Sequence, residues 1–506
     1  MLFATAGACL PSGGCTGSAG PAGTRPATTP VEAAAATITS RDVQARIAFL
    51  ANDALLGRDT PSPGLEAAAA YLESELEWLG LEPAGDSGSF RQVWQYREAR
   101  LSPGVTRLHA GSGRRPDLIY REDFFVLPSR VDSVSGVPVY VGTAGGLSQG
   151  FPPEVRGRIA VVLLPPRTGM QLLALPQAAA EAGAVGVLLV LPPLTDATAV
   201  QGAAAQALRW RAPVPTFGVR LEPARRLLRA AAGESAASAL LLETTAPVVF
   251  QGSALHLVAA AEERLHPVPN VVAILAGGDP LLARQHVVIS AHFDHVGVGI
   301  PDALGDSIYN GADDNASGTA AVLEVAEAFA ALPAPPRRTV VFLAVSGEEK
   351  GLLGSRHFVD HPTIPLANVV ANINLDMVGR NSPDTVVVVG QEYSSLGPLA
   401  QEIVAGHPEL GLTLIADPNP ALQAFFRSDH VAFVREDVPA VFFTTWQHDD
   451  YHRPSDEADR IDTDKVARIA RMAFLLTYRV ANDPDPPGWL GDGRDRVREM
   501  LKATPF

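Results

Sequence analysis

From Asn270 onward, short apolar runs alternate with helical patterns, and nearly every run ends in His, Asp or Glu. This alternation restricts the chain more than any other feature. Runs at 271–275, 287–290, 339–345, 369–375, 385–389 and 440–444 read as strands. They are apolar at almost every position, as strands covered on both faces are. The stretch 318–332, stopped by Pro333, and the stretch 465–482 read as helices between them. The pattern predicts an α/β fold: a mostly parallel, mixed sheet sandwiched by helices. Ligands of such sheets bind beyond the carboxyl ends of the strands.

Those strand ends carry the polar chemistry. His292, Asp294 and His295 follow 287–290, and Asp313 and Asp314 open the helix at 318. Glu348 and Glu349 follow 339–345, Asp376 follows 369–375, and His448, Tyr451 and His452 follow 440–444. Imidazole with carboxylate suits zinc, with cobalt or manganese as substitutes. The only cysteines are Cys9 and Cys15, so thiolate-held metals and disulfide frameworks are excluded from the folded body. One zinc needs fewer acids than are present. Two ions sharing one aspartate, each with one histidine and one further acid, would use them. Such a pair clamps a substrate oxygen and lowers the pKa of water. A further glutamate must then move the proton. Singly, each element is commonplace: Asp-Asp pairs cap helices, and paired glutamates sit on exposed turns. Their recurrence behind successive strands carries the inference.

The segments His292-Phe-Asp294, Gly311-Ala-Asp-Asp314-Asn-Ala-Ser-Gly318, Gly347-Glu348-Glu349, Asn374-Leu-Asp376 and Tyr451-His452 resemble the dizinc aminopeptidases of metallopeptidase family twenty-eight. Phe49 to Arg58 and Arg427-Ser-Asp-His430 resemble further elements of those enzymes. The resemblance implies two zinc ions. His292 and Asp376 would hold one, Glu349 and His452 the other, and Asp314 would bridge. It makes Glu348 the general base, has Asp294 orient His292, and lets Tyr451 help polarise the scissile carbonyl. It also implies a cis peptide at Asp314–Asn315. His295, His430 and His448 are expected not to be ligands, and Asp313 is expected to be a helix-start acid. Phe425 and Phe426 are candidates to line an apolar specificity pocket. The implied activity is removal of N-terminal residues from peptide substrates. Carboxypeptidase, dipeptidase or single-metal cyclase action on the same fold are the enzymatic alternatives. A non-catalytic, receptor-like binding module is the alternative of another class; the presence of all five ligands and the glutamate argues against it.

A chain of 506 residues accommodates roughly two to four domains. Residues 1–38, rich in small residues and proline, read as a tail; 39–129 as the N-terminal part of the peptidase domain; 130–246 as an insert; 247–485 as the catalytic domain; 486–506 as a C-terminal tail. The insert, through Val155-Arg-Gly-Arg-Ile-Ala-Val-Val and Pro213-Val-Pro-Thr, resembles a protease-associated (PA) domain. The formal charge of −15 argues against a nucleic-acid binder, which needs a basic face. There is no run of 18 apolar residues, hence no expected membrane-spanning helix. Small residues before Cys9 resemble the end of a signal peptide. The expectation is therefore an exported bacterial protein, periplasmic, lipid-anchored at Cys9 or Cys15, or secreted, with a cytoplasmic protein carrying a plain tail as the alternative.

Overall fold

The computed structural model describes residues 29–503 apart from 102–104, 112–117, 121, 128, 130–132, 148–149, 166–170, 192–211, 242–245 and 260. Cys9 and Cys15, with the expectations attached to them, lie outside the described residues.

The expected strands pair into one mixed sheet. Its order is Glu82–Pro83, Ala261–Leu275, Thr339–Val345, His286–His292, Val369–Leu375, Ala440–Thr444, Thr385–Val389 and Thr413–Ile415, with Arg91–Leu101 pairing beside Ala261–Leu275. The four strands at its centre, from Thr339–Val345 to Ala440–Thr444, are mutually parallel. Their carboxyl ends therefore emerge along one edge. Both faces of these strands are buried, which their continuous apolar sequence requires. Gly318–Ala330 and Thr463–Asn482 cover one face, packing Phe329 against Phe474 at 5.0 Å between ring centroids. Each ring is wholly buried, worth about 1.5–3 kcal/mol apiece relative to exposure.

A second unit carries its own sheets. Six strands run in the order Val248–Val249, Pro138–Thr143, Ile159–Leu163, Gly186–Leu191, Thr216–Arg220 and Phe124–Leu127. A three-stranded sheet joins Arg107–Ala110, Leu255–Val258 and Ser133–Gly136. Four of these strands, Arg107–Ala110, Phe124–Leu127, Val248–Val249 and Leu255–Val258, fall outside the expected segment 130–246 yet belong to these sheets. The long antiparallel ribbon of Arg91–Leu101 with Ala261–Leu275 leads into this unit and out of it.

Both supposed tails need correction. Pro30–Ala35 is a helix opened by a reciprocal capping box between Thr29 and Glu32, with Pro30 at its first position. Ala34 and Ile38 are buried in the main core. Gly493–Ala503 is also a helix. Val497 is buried beside Val387, Val389 and Tyr393, with Met500 and Leu501 packed around them. The spacing of 497, 500 and 501 is one helical face, a short signal that proline-rich surroundings obscure.

A charged cluster ties the N-terminal helix Ser40–Leu50 to the helix behind the site. Arg46 Nη1 lies 2.5 Å from Glu324 Oε1, and the Thr39 backbone N–H donates to Glu324 Oε2 at 3.2 Å. Burial pushes the Glu324 carboxyl up to about 7 from 4.5, against the pull of Arg46. Between these values the folded state keeps a proton that the unfolded chain has released, so stability falls as pH rises from about 4.5 to 7. Glu324→Gln has no carboxyl to titrate. In denaturant melts across this range the variant is expected to gain on the wild type as pH rises. A constant difference would contradict the assignment.

Candidate metal centre

The parallel centre of the sheet delivers the polar residues to one edge. His292 ends its strand, and Asp376 directly follows Leu375. Glu348 and Glu349 sit two and three residues beyond Ser346, and His452 comes from the loop after Ala440–Thr444. Asp314 arrives from the turn ahead of the helix Gly318–Ala330, and the peptide bond to Asn315 is cis.

Two donor clusters form there, sharing Asp314. His292 Nε2 is 3.3 Å from Asp314 Oδ1 and 3.3 Å from Asp376 Oδ1. His452 Nε2 is 3.1 Å from Asp314 Oδ2 and 3.1 Å from Glu349 Oε1. The two oxygens of Asp314 thus face opposite clusters. Donors around one tetrahedral zinc at its usual bond lengths stand about 3.3 Å apart, which is the scale of these separations. The electrostatics agree. Three carboxylates converge, and Arg58, whose charge Asp314 and Glu349 feel, gives its hydrogen bonds to backbone carbonyls. Burial alone would lower the His292 imidazole, but the charge of Asp376 and hydrogen bonds with Asp294 and Asp314 outweigh it and hold it well above its ordinary value. His452 is raised in the same way, burial being outweighed by Glu349 and Asp314. The pocket calls for positive charge, and its donors fit a divalent ion.

Asp294 faces the His292 ring, whose Nδ1 lies 3.2 Å from the Asp294 carbonyl oxygen and 3.7 Å from carboxylate Oδ1. That carboxylate accepts from the Glu348 backbone N–H at 3.1 Å and from the Thr60 hydroxyl at 3.0 Å, and Thr60 Oγ1 accepts from the Gly347 N–H at 3.1 Å. Asp294 therefore fixes the Glu348 turn. Ser428, from the Arg427–His430 element, donates to Asp376 Oδ2 at 2.6 Å. Asp450 is clamped by Arg380 at 2.6 Å and Arg460 at 3.0 Å, anchoring the loop that carries Tyr451 and His452.

Asp313 stands in the first helical turn; its Oδ1 accepts from the Gly379 N–H at 2.6 Å, and its Oδ2 faces His448 Nε2 at 3.3 Å. His430 lies outside both donor clusters and packs among Phe425 and Phe442. Phe425 and Phe426 do not line the cleft beside the metal centre. Phe425 is buried behind it against Tyr393, Phe426 and His430. The solvent-open cleft is lined by Glu348, Tyr451, Met377, Leu422, Phe442, Trp446 and Arg427 among others. The Tyr451 ring stacks on His452 at 3.9 Å. Burial, then Asp314 and Glu349, push its phenol well above its ordinary value. His295, set aside from the sequence, stands in the cluster of Asp314, Glu349 and His452.

The helix-sandwiched mixed sheet is a fold found in solved aminopeptidase structures. Two solved structures share it across most of their length. The aminopeptidase from Aneurinibacillus sp. strain AM-1 has a TM-score of 0.56 at 19% identity over 90% of this chain and 97% of that one. The zinc aminopeptidase BSAP from Bacillus subtilis has a TM-score of 0.53 at 18% identity over 88% and 96%. Residues 270–477 match the model of Peptidase family M28. Among curated proteins, the chain is 29% identical over 295 residues to a probable zinc metalloprotease of Pyricularia oryzae, covering 50% of this chain and 56% of that one. It is 28% identical over 233 residues to aminopeptidase YwaD of Bacillus subtilis, covering 43% and 44%. The chain thus spans about half the length of the curated relatives it matches. Among the described residues no helix is long and apolar enough to cross a membrane.

Proposed function

We propose that the chain is a zinc-dependent aminopeptidase that hydrolyses the N-terminal peptide bond. The supporting observation is the division of Asp314, with Oδ1 3.3 Å from His292 and Oδ2 3.1 Å from His452. In this reading His292 and Asp376 hold one zinc, Glu349 and His452 the other, and Asp314 both. Zinc bound there supplies Lewis-acid polarisation of the scissile carbonyl and lowers the pKa of water. Glu348, on the cleft wall, takes the proton from the attacking water and returns it to the leaving amine. Tyr451, whose phenol stays protonated, offers an O–H to the carbonyl oxygen. Met377, Leu422, Phe442 and Trp446 make an apolar recess beside these groups, suited to an apolar N-terminal side chain.

Purified full chain is expected to release p-nitroaniline from leucyl and phenylalanyl substrates faster than from aspartyl ones. Chelation should abolish release and zinc should restore it. Activity indifferent to chelation would overturn the reading. Dipeptidase or carboxypeptidase action is the second reading, and Arg427 is what favours it: an exposed guanidinium on the cleft lining is suited to a substrate carboxylate. Cleavage of amino-blocked but not carboxy-blocked dipeptides would select a carboxypeptidase, and cleavage of unblocked dipeptides alone a dipeptidase.

The second unit is read as a PA-type domain on its sequence likeness, and the chain as an exported protein. Cell fractionation, with fatty-acid labelling of the wild type against Cys9→Ser and Cys15→Ser, tests the export.

A further inference from the structure

We infer that His295 is a fourth protein donor of the cluster that contains Glu349 and His452, so that the two metal positions are unequal. The inference rests on the zinc reading above. The His295 ring is wholly buried, and neither ring nitrogen has a hydrogen-bond partner. Nδ1 lies 3.0 Å from Glu349 Oε1 and 3.8 Å from Asp314 Oδ2, the first at hydrogen-bond distance but out of alignment. A buried polar group left unmade costs about 1–3 kcal/mol, and an ion shared with these carboxylates removes that cost at Nδ1. His452 closes the group, its ring edge-on to His295 with centroids 5.4 Å apart.

The surrounding backbone is built to admit this ring. Gly311 has φ +57°, and a Cβ there would fall 2.4 Å from His295 Cγ. The His295 N–H donates to the Arg58 carbonyl at 3.3 Å. Arg58 in turn donates to Phe293 O at 2.9 Å, Asn310 O at 2.7 Å and Gly311 O at 3.0 Å. One buried guanidinium therefore sets both walls around the imidazole. An unpartnered histidine alone would not suffice: His430 also lacks side-chain partners, but its ring faces Phe425 and Phe442 rather than a donor cluster.

The position near Glu349 then has four protein donors, and the position near His292 has three: His292, Asp314 and Asp376. Four protein donors close a zinc site, whereas three leave a coordination position open. Access for substrate oxygen thus falls to the His292–Asp376 position. The His295 position retains its ion more firmly.

The test is metal binding by the full chain, stripped and then titrated with zinc or cobalt(II) against a chromophoric chelator. The wild type is expected to take up two equivalents, the first more tightly. His295→Ala should weaken the tight equivalent by more than about 100-fold, beyond the roughly 10–100-fold that losing a ligand-orienting partner costs. It should also change the visible spectrum of that cobalt alone. In His295→Gly, added imidazole should restore both, which only a folded chain permits. Two wild-type equivalents with variant affinity within tenfold and an unchanged cobalt spectrum would overturn the inference and leave the two-zinc reading standing. Fewer than two wild-type equivalents would overturn both.

Discussion

Glu348→Gln is expected to lower kcat by about 10²–10⁴-fold, the usual contribution of a positioned acid–base group, while zinc per chain stays at the wild-type level. Glu348 belongs to neither donor cluster, so its loss leaves metal binding intact. It lies on the cleft wall with Asp314, Asp376 and Tyr451. Its backbone is pinned independently of its side chain, through the Asp294 carboxylate and Thr60. The amide keeps the size of the carboxylate and loses only its capacity to take a proton. KM should change little, because the substrate contacts in the apolar recess are untouched. Steady-state kinetics with metal analysis on the same preparation checks this. A kcat within tenfold of wild type would remove Glu348 from its role.

Arg58→Met should be the most destabilising single change near the site, by about 3–5 kcal/mol, the range for removing one partner of a buried charge network. Arg58 is wholly buried. Its guanidinium donates to the carbonyls of Phe293, Asn310, Gly311 and Leu50. Burial lowers it to about 10, while Asp294, Asp314, Asp456 and Glu349 pull upward, so it is charged at neutral pH. Methionine fills similar volume but leaves those acceptors unpaired and withdraws positive charge from the carboxylates. Arg58→Lys should recover only part of the loss, since an ammonium lacks the planar fork that reaches several carbonyls at once. Denaturant unfolding measures it. A loss below about 1 kcal/mol would show that water replaces the guanidinium.

Much of this architecture is legible in the chain because its signals are local. Apolar runs at 339–345, 369–375, 385–389 and 440–444 coincide with observed strands, since strands buried on both faces leave a continuous apolar record. Helix boundaries shift by a residue or two around Gly318–Ala330 and Thr463–Asn482. Short amphipathic helices leave a weaker local signal. Pro30–Ala35 and Gly493–Ala503 draw their order from packing on distant residues, and short helices have little stability of their own. The long ribbon of Arg91–Leu101 with Ala261–Leu275 likewise depends on a partner about 170 residues away.

The sequence alone determined the strand order of the chemistry: which donor types follow which strand, and hence that imidazole and carboxylate meet at one sheet edge. Only the tertiary structure decided how each donor is used. His295 and His448 both lie within four residues of a cluster histidine, and nothing local separates them. One faces Glu349 at 3.0 Å, the other Asp313 at 3.3 Å. Asp294 faces the His292 ring through its carbonyl, while its carboxylate also holds the Glu348 backbone. Phe425 looks like a pocket wall, yet it is packed behind the cleft. The reason is directional. Strand periodicity records which face a residue occupies, whereas the aim of a ring or carboxylate beyond the strand end is set by long-range packing.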